Sequence, residues 1–595
     1  LTGVNGEAIA DDNATSISVT PTDGPASTYQ IAVSKVQIAK GILLKATAAD
    51  GTEYYKVVRQ GGVDLYTSDN KGVHRKLTVK LNQKGISNKT DLLSFKYLVE
   101  NSLPLTNYQE DTHSSGQPII ALLDDIDMGA TADTPIEWEA IGAWGTESES
   151  NTFKGILEGH SHRIYNFYIE STDRITGLFG DVFCVTNWGG GFQNIYLGCA
   201  ADKESWDGVS RIVYNAESTE SIFIGALAAR VKKNSNGNGN WKMTNCKNFV
   251  KIETNGCAND SGVKVLGEGY VGGLVGYSTR TRMSYCRNYA EIRNTAEFTG
   301  SPKLRMGGLV GIVAERMSQE ISDCHNHELV ISENDAILYI GGLVGQYVPG
   351  DPESNNVNKF TDCTNQGMVY AKNLSKYGVT IGGIVGYVSA AEGYEYPVTF
   401  DKCEFRNAEV WAQEIAQNSS ADDMICAGGI VGRTIVPTTF NACKSIAEIS
   451  DDTGIHVSLN GGSTNNKGGV RVGGILGDNG PKNCMHTVLQ NCEVDAEVYV
   501  NYGGGESVKP ENYCVGGIIG RINGAADEQG PCEVRGCINR KPVHCDANRG
   551  TVGGIVGCSA AGVISGCSNL GEVYVTYKKG VARQSQAGGI IANAW

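Results

Sequence analysis

Gly272-Gly273-Leu274-Val275-Gly276 is the stretch that decides the fold, because the chain keeps returning to it. The same five residues stand at Gly307–Gly311 and Gly341–Gly345. Gly-Gly-Ile-Val-Gly stands at Gly382–Gly386, Gly428–Gly432 and Gly553–Gly557. Gly473–Gly477 and Gly516–Gly520 are close variants, and Gly177–Gly180, Gly225–Ala229 and Gly588–Ala592 are degenerate copies. From Gly272, successive starts fall 35, 34, 41, 46, 45, 43, 37 and 35 residues apart. A phrase recurring at such a period marks a repeat architecture, in which each unit buries its apolar face only by stacking on its neighbours.

Two other residues keep step with the phrase. Cys246, Cys286, Cys324, Cys363, Cys403 and Cys443 lie 40, 38, 39, 40 and 40 residues apart, and the series continues at Cys492, Cys537 and Cys567. A free cysteine packs as a small apolar residue, so one per coil reads as a buried stack of thiols. Bridges stay open for Cys484, Cys514, Cys532, Cys545 and Cys558, and the absence of a CxxC pair argues against zinc. Two residues after the cysteine come Asn248, Asn288, Asn326, Asn365, Asn539 and Asn569. Asn tolerates the left-handed backbone, so it is expected to turn a corner.

A unit then reads as three short strands: Gly272–Tyr277, Arg282–Cys286 and Ala290–Arg293. Strand side chains alternate, so either the residue after the Gly pair or the next one faces inward, not both. The variable period is assigned to loops, the long ones being Val348–Lys359, Ala390–Pro397 and Ile455–Arg471.

Upstream of the array, Ser16–Thr20, Thr28–Val33, Glu53–Val58 and Lys76–Lys80 alternate like strands. In Ser87–Ser102 the residues Leu92, Leu93, Phe95, Leu98 and Val99 fall at helical spacing, with Ser87 or Asn88 to cap and Asp91 in the first turn. Such a helix would cover the open end of the stack. The expected fold is all-β: a right-handed parallel β-helix (solenoid) of about ten irregular coils. A short N-terminal capping helix and a small antiparallel β-sandwich-like domain precede it. The expected divisions are 1–86, 87–117 and 118–595.

Glycine numbers 77 of 595 residues, roughly twice the usual share, against 14 prolines. A net charge of −15 with no Lys/Arg run argues against nucleic acid as a partner. No segment approaches the ~20 apolar residues of a membrane-spanning helix. The chain opens at Leu1, which reads as a mature or trimmed form.

The glycine phrase resembles the GLUG-motif repeat, seen here as Gly273-Leu274-Val275-Gly276 and its copies. The lead-in Asp125-Ile126-Asp127-Met128, Trp138…Ile141-Gly142 and Phe153-Lys154-Gly155…Gly159-His160…Ile164 is similar to the segment that opens such arrays. The resemblance covers about residues 90–595. It implies a large bacterial surface or secreted protein, in which the array can be an accessory region of a peptidase. Tyr54-Tyr55-Lys56-Val57 and Leu77-Thr78-Val79-Lys80-Leu81 more faintly resemble part of a fimbrillin-like domain of Bacteroides-type surface proteins.

The chain carries no P-loop and no dinucleotide-binding turn, so no cofactor is expected. Asp124, Asp125 and Asp127 lack the rest of a calcium loop, and His160 with His162, like His325 with His327, lacks a third placed ligand. These read as turns, and no metal site is expected. Asp323, Asp362, Asp401 and Asp495 are candidate acids only if the coils pair them across a groove. Tyr387, Tyr394 and Tyr396 surround one long insertion and are the candidate ligand contacts, since exposed aromatics stack on sugars or anchor proteins.

The expected function is that of a non-enzymatic cell-surface adhesin, ligand-binding protein or stalk. It is extracellular or at the outer membrane, with a lipid anchor supplied by a segment not present here. The expected partner is a glycan, a protein ligand, or other surface or pilus subunits. The alternatives are a polysaccharide lyase or glycoside hydrolase, or a module of a larger surface peptidase.

Overall fold

The computed structural model describes residues 2–3, 20–21, 29–30, 42–47, 50–58, 82–142 and 151–594. Excepted within the last span are 185–189, 201–203, 217–219, 234–240, 256–267, 297–302, 315–319, 334–335, 352–357, 373–377, 391–394, 407–408, 414–423, 448–453, 460–468, 481–485, 503–512, 524–530, 547–549 and 577–584.

Each coil carries five strands, not three. In the coil that opens the regular array they are β1 (Gly269–Gly272), β2 (Val275–Thr279), β3 (Thr281–Ser284), β4 (Arg287–Asn288) and β5 (Ile292–Asn294). Each strand pairs in parallel with its equivalents in neighbouring coils, and the same labels serve for those equivalents. The result is a parallel β-helix of five sheets running along the axis: three of 11 strands, one of 12 and one of 13. Connections of varying length sit where β2 meets β3 and where β5 meets the next β1. The segment expected to loop from Ile455 is in fact a strand to Leu459.

The phrase straddles a corner. β1 ends at Gly272, Gly273 and Leu274 turn, and β2 starts at Val275. The corner breaks the alternation, so Leu274 and Val275 are both fully buried. The expectation that only one faces inward assumed a single strand. The phrase glycines are needed for close approach. A Cβ on Gly308 would strike the carbonyl oxygen of Gly342 and lie 2.5 Å from Asn326 Oδ1 on the far wall of the coil. The interior is that thin at this level.

The asparagines do not turn the chain. The left-handed residue is the one before the cysteine: Asn245, Tyr285, Asp323, Asp362, Lys402, Ala442 and Asn491 all have φ between 49° and 58°. Asn two residues after the cysteine is instead buried and builds a ladder. Asn248, Asn288, Asn326 and Asn365 pass side-chain hydrogen bonds from Nδ2 to Oδ1 along the axis at 2.7–2.8 Å. Each also donates to the carbonyl two residues on, at 2.7–3.1 Å. Phe405, Ser445 and Val494 interrupt the ladder, and Asn539–Asn569 resumes it at 2.8 Å.

Beside this ladder the nine periodic cysteines are free thiols, eight of them buried. In-register neighbours have parallel Cβ vectors at the strand spacing of about 4.8 Å, longer than the ~3.8 Å a disulfide wants. Phe360, Phe400 and Phe440 stack with ring centroids 4.7 and 5.2 Å apart. A fully buried Phe contributes roughly 1.5–3 kcal/mol.

The first coil is plugged by α1 (Lys89–Glu100), capped by Asn88, whose side chain accepts from Asp91 N. Leu92, Phe95, Leu98 and Val99 are buried, while Leu93 is only half-buried. Phe95 meets Tyr108, Phe153 and Phe179 edge-on at 5.6–6.4 Å. Asp91 is also buried, where it pairs with Lys56 Nζ at 2.8 Å. That ties α1 to an antiparallel sheet of Thr2–Gly3, Ile42–Thr47 and Glu53–Val58. Thr20–Pro21 and Tyr29–Gln30 form a second antiparallel pair, and the expected strand Lys76–Lys80 lies outside the described residues. At the other end the final described strands leave apolar side chains on the surface. Val563, Leu570, Tyr574 and Ile590 are all exposed there.

Candidate functional site

Next to the capped end, a cavity of about 620 Å³ opens on the outer face of the β3 sheet. That volume suits a small-molecule or saccharide site. Its floor is the outward column Ile119–Ile156, one residue per coil. The column continues at Gly191, where no side chain closes the floor. Glu158 and Gln193, in register two residues on, form one wall. Glu110 and Asp111 form the other, from the strand Gln109–Thr112 that pairs antiparallel with Pro118–Ala121, together with His113 just past its end.

Two irregularities aim side chains here. The register of Gln109–Thr112 slips between Gln109 and Asp111, so Glu110 sits on a bulge. Bulges re-aim a side chain at the edge of a sheet. The turn after Glu158 holds two consecutive left-handed residues, His160 (φ 49°) and Ser161 (φ 66°). Non-glycine residues adopt that conformation only where their surroundings hold them there. Glu158 Oε1 accepts from the His160 backbone N–H at 2.8 Å and from Asn194 Nδ2 at 2.9 Å. The His160 imidazole then lies between the two glutamates, with Nε2 3.1 Å from Glu110 Oε2 and Nδ1 3.9 Å from Glu158 Oε1. Two carboxylates, an imidazole and an apolar floor can accept hydroxyl hydrogen bonds while packing the C–H face of a sugar ring.

A second outward column runs along the β5 sheet through Tyr370, Trp411, His456, Tyr499, His544 and Tyr574, one per coil. Centroids are 3.9–6.1 Å apart. His544 is sandwiched between Tyr499 and Tyr574, so ring faces cover one another. Glu497 faces His544 Nδ1 at 3.3 Å, and the imidazole beside it holds its carboxyl below the usual glutamate value. Burial, with Asp546 nearby, pushes the Tyr499 phenol up.

The sequence-derived ligand contacts are placed as follows. Tyr387 lies in a seam outside the phrase corner, where outward residues of β1 and β2 face each other. Its ring packs on Tyr339 at 4.8 Å, with the Arg433 guanidinium 6.0 Å away. Tyr396 is half-buried in the connection leading to Val398–Asp401, and Tyr394 lies outside the described residues. Asp125 holds His162 at 3.2 Å and the Arg163 N–H at 3.0 Å, and Asp127 caps Gly129 and Asn166. His325 pairs with Asp323 at 3.0 Å, and His327 stacks on Tyr289 at 4.6 Å. Asp323 and Asp362 hold the left-handed turns before their cysteines. Asp401 binds Lys359 and Asn441, and Asp495 closes a β4 strand.

Sequence reasoning singled out His160 but not its partners. Glu110 lies in a stretch without periodicity, and only its place just before the first array strand signals it. The bridge Cys514–Cys558 was open in the sequence but not paired. Cys514 stands two residues before one glycine phrase and Cys558 directly after the next, and that placement was the available signal. Among the described residues no group of three His, Cys, Asp or Glu could hold a metal, and no helix is long and apolar enough to cross a membrane. No protein-family model, curated protein or solved structure matches the chain.

Proposed function

We propose that this chain is a non-enzymatic adhesin or ligand-binding protein of a bacterial cell surface, and that it binds a glycan in the cavity beside the capped end. The carrying observation is that bulged Glu110 and Glu158, bridged by left-handed His160, line the cavity with the Ile119–Ile156 floor. A disulfide in the outer seam fits an oxidising compartment. Arrays of glycans and matrix proteins test the reading. A glycan hit that is lost in Glu110→Gln and Glu158→Gln supports it. Uniformly negative arrays, or hits indifferent to both substitutions, contradict it.

The carboxylate pair flanking His160 favours one second reading, a polysaccharide-active enzyme with Glu110 and Glu158 as acid and base. Chain-shortening of the bound glycan, abolished by either Gln substitution, would establish that reading over the first.

A further inference from the structure

We infer that the Cys514–Cys558 bridge is a redox latch that holds the last coils shut along the outer seam.

The bridge occupies a position the whole seam repeats. In each case the first residue lies two before the end of a β1 strand. Its partner lies two after the start of the β2 strand one coil further on. Phe223 and Tyr277 stand in this relation, with rings 5.8 Å apart edge-on. So do Arg305 and Gln346, with Nε donating to Oε1 at 2.6 Å, and Tyr339 and Tyr387. Cys514, in Tyr513–Gly516, and Cys558, in Val556–Ser559, make the same diagonal contact as a covalent bond. Each contact fastens one coil to the next outside the main core, and only this one can be undone by electrons.

Its place along the axis gives it a task. Val563, Leu570 and Tyr574, in the same coil as Cys558, are exposed, so this coil is the less tightly packed of the two that the bridge joins. Both cysteines are buried, at 1% and 2% exposure, so a reductant reaches them only when the end coils part. The chemistry is exchange with a dithiol. One thiolate of the dithiol attacks a bridge sulfur and forms a mixed disulfide, expelling the other cysteine as a thiolate. The second dithiol sulfur then attacks the first, both cysteines are released as thiols, and the reagent leaves as a cyclic disulfide. Two electrons and two protons pass to the protein. A disulfide reagent runs the sequence backwards and closes the latch.

The test is limited proteolysis of the full chain with and without dithiothreitol, read by peptide mass spectrometry. The same digestion is run on Cys514→Tyr/Cys558→Tyr, which rebuilds the Tyr339–Tyr387 type of contact. Reduction is expected to raise cleavage after residue 520 by about thirtyfold or more, at the low end of what losing a native bridge does to a folding equilibrium. Cleavage between 268 and 447 stays as it was. The Tyr pair resists protease as the oxidised protein does and ignores the dithiol. The inference is overturned if the bridge is reduced with no change in cleavage. It is equally overturned if the Tyr pair responds to dithiol as the native protein does.

Discussion

Asn288 Nδ2 donates to Asn326 Oδ1 at 2.7 Å across 38 residues of chain, and both side chains are fully buried. An amide has a donor and an acceptor on one planar group, so identical amides in register satisfy each other indefinitely. The polar stack fixes register where an apolar one could slip. Asn326→Ala would remove one of the two partners of Asn288 Nδ2 and one of the two of Asn365 Oδ1, and the side-chain donor to the Glu328 carbonyl. We expect a loss of roughly 2–4 kcal/mol in denaturant unfolding, as buried groups lose their partners. A loss below about 0.5 kcal/mol would mean that the ladder is ornamental.

The phrase glycines differ in what surrounds them. Gly308→Ala drives a methyl into the Gly342 carbonyl and Asn326, whereas nothing lies within 4 Å of a Cβ at Gly589, in the last copy of the phrase. We expect Gly308→Ala to cost about 1–3 kcal/mol or more, as overpacking does. Gly589→Ala should stay within about 0.5 kcal/mol. Equal melting shifts for the two would contradict the close-approach account.

The thiol stack should be silent to reagents in the folded protein. Burial raises the Cys363 and Cys403 thiols far above their usual pKa, and both are fully buried. Alkylation followed by peptide mass spectrometry should leave Cys286, Cys324, Cys363 and Cys403 unmodified until denaturant is added. Native labelling, or bridges among them, would overturn the stack.

Glu497 gives a pH signature. Its carboxyl is held below the ordinary value by the His544 imidazole beside it, so the folded state binds that proton less readily than the unfolded one. The stabilisation is present above the unfolded value of about 4.3 and is lost as pH falls through the folded one. Glu497→Gln should therefore flatten the acid limb of the stability–pH curve below about pH 5. An unaltered acid limb would show that the Glu497–His544 contact contributes nothing.

Much of this architecture was legible because stacking converts three-dimensional neighbours into a period along the chain. The phrase, the cysteines and the capping helix each carried a signal: a fixed spacing, or for α1 the helical pattern around Phe95 with Asn88 before it. Roles were harder to read than positions. Asn326 reads as a corner because Asn tolerates positive φ, yet that conformation falls on the residue before each cysteine, where Asn245, Asp323, Asp362, Asn491, Gly536 and Gly566 suit it but Tyr285, Lys402 and Ala442 do not. The residue types mark it only in part. The two-strand reading of Gly272–Gly276 depended on a corner that an apolar run does not announce. The cavity was least visible. Glu110 acquires its direction from a bulge, and His160 meets it only because an antiparallel strand folds back beside the first coil.

The central claim, that the cavity between Glu110 and Glu158 is where this protein meets its ligand, is tested most directly by a crystal structure of the protein soaked with the strongest glycan from the array. The account predicts an intact saccharide over Ile119 and Ile156, with hydroxyl groups within hydrogen-bonding distance of both glutamates. Ligand density on the seam around Tyr387 or along the Trp411–Tyr499 column, with the cavity empty, would contradict it.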